Sequence, residues 1–481
     1  MDKIASAKDE SFREYVLNAS PLHTLFTVCG PLALYQGMQQ IFKIMDTLMA
    51  AHVSASAVSA ISSLTQVTAM ITALGSGLAV GGCIRISESY GQGDYEMVRR
   101  RTSTLYAGTI LLSLIVAVLF IPFATPFLRI LRTPEELITA GVGYFRVEIV
   151  SLILSFFNTV YIAIERSRGH AKKILNLNLA VVILKLGLSA VFVYGFQCGV
   201  VMISVASLIS YAAMTAYVLW SMPRDEGAFR FSFSAISFEK NTIAPVLQLS
   251  YPVAAEKVLF AAGKVIVNAM SALYGALTVG ALGISNNIGG FTTNLHAGTM
   301  DGASSLISQN RGAGKYKRTL RLFWDLMVIN VVIGAVGWVC IAWCLPWLAE
   351  LFAKSRNQFD PVFCDMIIQI HQYEMMGYVM LGINSAVNAL LLGYGYAKLA
   401  MILNVARVFL FRVPVLWALQ RFTSMGAEAT GVTMMVSNVA TGASSLIAML
   451  PVLIRIRHLQ DASDAREKEA EREMQKAGCE K

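Results

Sequence analysis

About twelve runs of roughly twenty mostly apolar residues recur through this 481-residue chain, and that spacing limits the fold more than any other feature. A soluble core cannot absorb so much apolar surface: hydrophobic residues make up 56%, charged residues only 14%, and the mean hydropathy is +0.58. A bilayer can. The runs predict helices near 22–50, 56–83, 102–125, 137–163, 174–194, 199–220, 243–271, 278–308, 322–346, 364–391, 398–420 and 428–454. The predicted class is an all-α polytopic membrane protein with twelve transmembrane helices.

Lysine and arginine then orient the chain. With the N-terminus inside, 27 of them fall in the inner segments and five in the outer ones: Arg129, Arg132, Lys354, Arg356 and Arg421. Both termini are therefore expected in the cytoplasm, as an even number of spans requires. The net charge of +9 reads as this topology signal, so no nucleic-acid partner is expected. The first twenty residues mix polar and charged types without a short apolar core, which predicts no cleaved signal peptide. The seven cysteines are scattered and form no two-pair zinc pattern, so no metal site is expected.

The chain also repeats itself. Pro31 answers Pro252, Gly77 answers Gly298, Gly81 answers Gly302, Gly91 answers Gly312, Gly93 answers Gly314 and Tyr95 answers Tyr316, all at an offset of 221. Asn178 answers Asn404 at an offset of 226. Six spans per copy make both copies run in the same direction, which predicts two parallel-repeat six-helix bundles around a central cavity. The expected units are a cytoplasmic segment 1–20, an N-terminal lobe 21–220, a cytoplasmic linker 221–242, a C-terminal lobe 243–455 and a charged tail 456–481. The tail's alternating charges predict a short solvated helix.

The informative polar residues are acids inside predicted spans. Pro31 removes a backbone donor and predicts a bend. Asp46 follows fifteen residues later, roughly 22 Å along the helix. Two readings stand: a cation or proton site in a bending helix, or a carboxylate at the outer water boundary paired with Lys43. In the second copy Pro252 precedes Glu256 by one turn, which makes Glu256 a candidate substrate or coupling contact or one half of a structural pair. Glu374 shares a helix face with His371, with Tyr373 beside it, so the cluster either exchanges protons or is a satisfied polar contact. Asp301, Asp325 and Glu148 read first as structural. Tyr35 and Tyr373 are among the rings that could line a cavity and hold flat or cationic molecules. Gly77-x-x-x-Gly81 and Gly298-x-x-x-Gly302 predict the same close helix contact made twice. GQGDYE at Gly91 and GAGKY at Gly312 read as turns at the ends of spans, since neither completes a phosphate loop. No nucleophile, histidine and acid set or HExxH helix is legible, so no enzyme is expected.

Over about residues 20–455 the sequence resembles the multidrug and toxic compound extrusion (MATE) transporters. The matching stretches are MDTLMAAH at 45–52, GSGLAVGGCIRISESYGQGDYEMVRR at 75–100, YPVAAEKVLF at 251–260 and HAGTMDGASSLISQNRGAGKYKRTLR at 296–321. The resemblance implies two lobes, a V-shaped cavity and alternating access, with Na⁺ or H⁺ moving inward in exchange for organic, often cationic and aromatic, substrates. It implies a multi-pass protein of the bacterial plasma membrane, working as a monomer with no cofactor beyond the coupling ion. Asp46 matches the family's first-helix acid, assisted by Asn178, and Glu256 matches a seventh-helix acid. The sequence departs from the pattern in the tenth helix, which offers His371 and Glu374 in place of an aspartate, and at His52. The alternative is a lipid or lipid-linked-oligosaccharide flippase on the same frame, which a strongly positive cavity would favour.

Overall fold

Long apolar stretches bounded by glycine and polar turns give long helices. The structure, a computed structural model, describes residues 6–53, 55–126, 135–197, 201–224, 227–355 and 358–479, with side chains described except at 46–53, 55–67, 135–141, 223, 276, 354–355, 358–359, 466–467 and 470–479. Helix α1 (Ala7–Asn18) opens on a capping box in which Ser6 and Asp9 satisfy each other's backbone amides. Twelve longer helices follow: α2 (Pro21–Val53), α3 (Ala55–Gln92), α4 (Tyr95–Phe120), α5 (Glu135–Ser167), α6 (Ala171–Gly195), α7 (Val201–Ser221), α8 (Lys240–Ser271), α9 (Ala276–Gly312), α10 (Tyr316–Ala353), α11 (Pro361–Gly393), α12 (Ala397–Phe422) and α13 (Glu428–Cys479).

Among the described residues, nine stretches are long and apolar enough to cross a membrane. The other three long helices, α2, α8 and α9, are richer in Gln, Asn, Ser, Thr and Gly, and these line the centre. The apolar surface is turned outward: on α4, Ile110, Leu114 and Val118 each stand 59% exposed at four-residue spacing, a stripe suited to lipid. A short hairpin pairs Lys354–Ser355 with Gln358–Phe359 between α10 and α11.

Several helices run past their predicted ends. α3 and α9 continue into the polar stretches and stop at Gly93 and Gly314, whose φ of 81° and 73° suits a residue without Cβ. The charged tail is helical as its pattern predicts, but it prolongs α13 without a break. Inside α12 the winding widens to a π-turn over Arg407–Arg412, just ahead of Pro414, which cannot donate an amide to the preceding turn.

The repeat is visible as exchanged contacts. Gly77 lies against Ala254 while Gly298 lies against Ala33, and Ala254 is itself the repeat mate of Ala33. Likewise Gly91 meets the Gln309 carbonyl while Gly312 meets the Glu88 carbonyl. In each pair the backbones touch where a side chain would stand. Gly298→Leu should therefore push α2 and α9 apart and destabilise the fold by about 1–3 kcal/mol or more. Gly30→Ala, with nothing within 4 Å, should be neutral; thermal unfolding in detergent compares the two.

At the end of the bundle that carries the glycine turns, the two lobes are sealed by polar contacts. Ser87 Oγ and Ser305 Oγ are 2.7 Å apart, Ser308 Oγ donates to the Ile84 carbonyl at 2.7 Å, and Gln309 Nε2 donates to the Ser167 carbonyl at 2.9 Å. Arg166 pairs with Asp301 at 3.1 Å and Arg311 with Glu88 at 3.2 Å, both across the lobes. Helix α1 straddles the same junction, with Arg13 donating to the Gly91 carbonyl at 2.9 Å and Arg318 to the Val16 carbonyl at 3.0 Å. The structural reading of Asp301 thus acquires a named partner in the other lobe.

Candidate functional site

Beyond this seal the lobes enclose two chambers, of about 450 and 590 Å³, which share Lys43 and Lys257 on their walls. Either is large enough for a drug-sized molecule. The smaller lies on the side of the second repeat and the larger on the side of the first.

In the smaller chamber the organising group is Glu256. Asn404 of α12 donates from Nδ2 to Glu256 Oε1 at 2.9 Å. Asn404 Oδ1 in turn accepts from Asn384 Nδ2 at 3.3 Å and Asn388 Nδ2 at 3.4 Å, two α11 residues one turn apart. Ser445 of α13 donates to Asn384 Oδ1 at 2.8 Å. Three helices thus converge on the carboxylate that α8 carries, through neutral amides and one hydroxyl. Asn388 Oδ1 is buried without a hydrogen-bond partner. A half-buried carboxylate held by one amide N–H, in a chamber whose wall also carries the spare amide oxygen of Asn388, has the acceptor chemistry for a proton or a hard monovalent cation.

Apart from Glu256, the charged groups on this chamber's wall among the described residues are basic. Lys264 and Arg407 stand on its wall, and with the buried Arg412 they surround one ring: Lys264 Nζ lies 5.4 Å from the Phe260 centroid, Arg407 Cζ 5.6 Å and Arg412 Cζ 5.7 Å. The π-turn explains the pairing of the two arginines. Five residues apart in an α-helix, they would point roughly 140° away from each other; the wider winding returns both to one side. There they share an acceptor, Asn438 Oδ1, at 2.7 Å from Arg407 and 3.2 Å from Arg412.

The larger chamber gathers Tyr35 and Asn178. Gln39 donates to the Tyr35 hydroxyl, and Asn178 Nδ2 donates to the Ile174 carbonyl at 2.8 Å, leaving its Oδ1 available to the chamber. Lys185 and the Arg166–Asp301 pair share this wall. The side chains of Asp46 and His52 lie outside the described ones. Pro31 and Pro252 sit inside continuous helices, each in the half of its span nearer the seal.

His371 and Glu374 line neither chamber. Both are buried and close on each other at 3.7 Å. Ser285 Oγ contacts His371 Nδ1 at 2.8 Å and donates to Glu374, and Tyr378 Oη contacts His371 Nε2 at 2.9 Å. With Nδ1 as the protonated nitrogen every donor finds an acceptor, so this is a closed polar knot among α9 and α11. Tyr373 lines neither chamber. Reading the sequence singled out Glu256 but not Asn384 and Asn388, whose Asn-x-x-x-Asn spacing on α11 was the available signal; Asn404 was visible as the repeat mate of Asn178. Among the described residues no group of three or more His, Cys, Asp or Glu side chains is placed to hold a metal ion.

Two parallel lobes around polar chambers, sealed at one end, define a membrane transporter frame. The sequence profile named MatE matches the chain twice, over residues 31–191 and 252–418, two stretches that begin one repeat offset apart. The chain belongs to this family, the multidrug and toxic compound extrusion transporters. It is 24% identical over 412 residues to the multidrug export protein MepA of Staphylococcus aureus strain NCTC 8325, covering 85% of this chain and 88% of that one. To the Bacillus subtilis protein named "Probable multidrug resistance protein YoeA" it is 20% identical over 410 residues, covering 84% and 87%. Among solved structures, an outward-facing multidrug resistance MATE transporter of the MOP superfamily superposes with a TM-score of 0.87 at 17% identity, covering 95% of this chain and 99% of that one.

Proposed function

We propose that this protein is a secondary active antiporter that exports small organic molecules by alternating access, taking Na⁺ or H⁺ inward in exchange. The observation that carries the reading is Glu256: a carboxylate on a chamber wall inside the spans, held by neutral amides while the lobes are sealed at one end. Inside the spans such a group is stable either protonated or beside a cation, which fits it to bind and release one in turn. The asymmetry of basic residues supports a cytoplasmic sealed end, and in this reading the arrangement is the outward-facing member of the cycle.

In this scheme the ion or proton enters from outside and binds Glu256 in the second repeat and Asp46 with Asn178 in the first. Neutralising these acids removes the charge that holds a basic group of the substrate, which leaves outward. The seal of Ser87, Ser305 and the Arg166–Asp301 pair then opens inward. The proline-containing helices α2 and α8 absorb the change, and the ion is released to the cytoplasm. The working unit is a monomer in a bacterial plasma membrane. The names of the relatives, multidrug export and multidrug resistance proteins, support an organic substrate.

Expression in a bacterium stripped of its own exporters tests this. Cells carrying the protein should accumulate several-fold less of at least one organic dye than cells carrying the empty vector, and an uncoupler together with a Na⁺ ionophore should abolish the difference. Equal accumulation across a broad dye panel would contradict it.

A further inference from the structure

Outside both chambers a third cavity, of about 430 Å³, opens at the sealed end between the start of α10, the last turn of α1 and the tail of α13. The charged side chains on its wall are Lys315, Lys317, Arg318, Arg321 and Asp464, four basic groups against one acid. Two of the four are held by neutral acceptors. Lys315 Nζ donates to the Leu17 carbonyl at 3.0 Å and to Asn18 Oδ1 at 2.7 Å, and Arg318 donates to the Val16 carbonyl and, at 3.3 Å, to Thr24 Oγ1. Among the described residues no carboxylate lies within ion-pair distance of any of the four, neither Asp464 nor Asp325, which follows Arg321 by one turn. The repeat supplies a comparison within the same chain. At an offset of 221, Lys317 answers Glu96 and Arg321 answers Arg100. In the first lobe Arg100 donates to Glu96 at 2.7 Å, so the arginine has its counter-charge one turn away on its own helix. In the second lobe a lysine stands in the glutamate's place, and Lys315 stands in that of Asp94. The same turn is self-neutralised in one lobe and cationic in the other.

We infer that this cavity holds the headgroup of an anionic phospholipid, in the leaflet on the side of the seal. The face of α10 that leaves the cavity argues for a lipid over a free phosphate. Lys317 and Arg321 are followed on that face by Trp324, Val328, Val332 and Val339, all of them exposed. A phosphate seated on Lys317 and Arg321 therefore sits where the apolar span begins, with its acyl chains along the valines. Trp324 stands between the two, at the level where indoles settle in a bilayer. A guanidinium beside an ammonium forms charge-assisted hydrogen bonds with phosphate oxygens, and basic clusters at the ends of spans attract anionic lipids. Gln460 and Ser463, on the part of the wall that α13 supplies, offer partners for headgroup hydroxyls. A lipid of no net charge would leave the basic excess uncompensated. The lipid is a resident ligand on the outside of the second lobe, separate from whatever the chambers carry.

Native mass spectrometry of the purified full-length protein tests this, with the protein released from micelles that contain equal amounts of phosphatidylglycerol and phosphatidylcholine of the same chain length. Wild type should retain phosphatidylglycerol roughly tenfold over phosphatidylcholine. The double change Lys317→Gln and Arg321→Gln should bring the two lipids to parity, whereas Lys317→Arg should keep the preference. Arg100→Gln, the matching change in the first lobe, should leave it unaltered. Lys317 and Arg321 are both exposed, so their replacement leaves the packing intact, and thermal unfolding of the same preparations checks it. Equal retention of the two lipids by wild type overturns the inference whatever the variants do, and so does a preference that survives the double change. A further arm adds excess inorganic phosphate, with sodium chloride at equal ionic strength as its control. The preference should persist in both; displacement of phosphatidylglycerol by phosphate alone would make this a site for the free anion and overturn the lipid assignment.

Discussion

A covalent link between positions 87 and 305 should stop transport and its removal should restore it. Ser87 and Ser305 lie in opposite lobes at the sealed end, and their hydroxyls are in hydrogen-bond contact. The double change Ser87→Cys and Ser305→Cys, made after the seven native cysteines are replaced, brings two thiols within reach of a disulfide or a short bifunctional cross-linker. Replacing the native thiols matters because Cys83 Sγ sits 3.3 Å from Ser167 Oγ in the same region. Cross-linked protein should fall at least tenfold, to the background rate, and recover on reduction. A cycle that never parts the inner ends of α3 and α9 would be unaffected. Undiminished transport by fully cross-linked protein would therefore rule out this seal as the inner gate.

The second large effect is at Glu256. Glu256→Gln keeps an oxygen for the Asn404 amide and a similar volume, but it cannot bind a proton or balance a cation. Gradient-driven transport should drop about tenfold to a hundredfold, in proportion to the roughly 1.5–3 kcal/mol that a charged hydrogen-bonding partner contributes. Stability should hold or rise, since a charge inside the spans has been removed. Asn404→Leu should behave differently, because it strips Asn384 and Asn388 of a shared acceptor. It is expected to lose about 1–3 kcal/mol of stability as well as transport. If Glu256→Gln instead unfolded the protein without altering the transport of what remained folded, Glu256 would be a structural carboxylate. Thermal unfolding and vesicle transport, measured on the same preparations, separate the two.

The architecture was legible because each of its causes is local. A bilayer-length apolar run states its own fold, and a pair of glycines that recurs one repeat offset further on states a contact made twice. Gly77 with Ala254 and Gly298 with Ala33 show that logic in the structure. Helix ends were less legible, since α3 and α9 outrun their apolar stretches and end only where Gly93 and Gly314 turn the chain. The site was half legible. Glu256 stood out as an acid in an apolar run, whereas its amide partners come from α11 and α12, more than a hundred residues away, and asparagine in a helix carries no such alarm. Ser285 likewise reaches His371 from 86 positions earlier, which is why the histidine and Glu374 resembled an open cluster and not a closed knot. The π-turn over Arg407–Arg412 depends on Pro414 and on packing together, and α-helical spacing places the two arginines on different sides.

The most direct test of the coupling claim is simultaneous measurement of substrate and ion in reconstituted vesicles, with Na⁺ and pH gradients imposed one at a time on wild type, Glu256→Gln and Asp46→Asn. The account predicts that one of the two gradients drives the substrate outward against its own gradient. Ion uptake should then rise only when substrate is present, and both fluxes should collapse together in Glu256→Gln and Asp46→Asn. Substrate movement that ignores both gradients, or that persists with an unchanged gradient dependence in both variants, would contradict it.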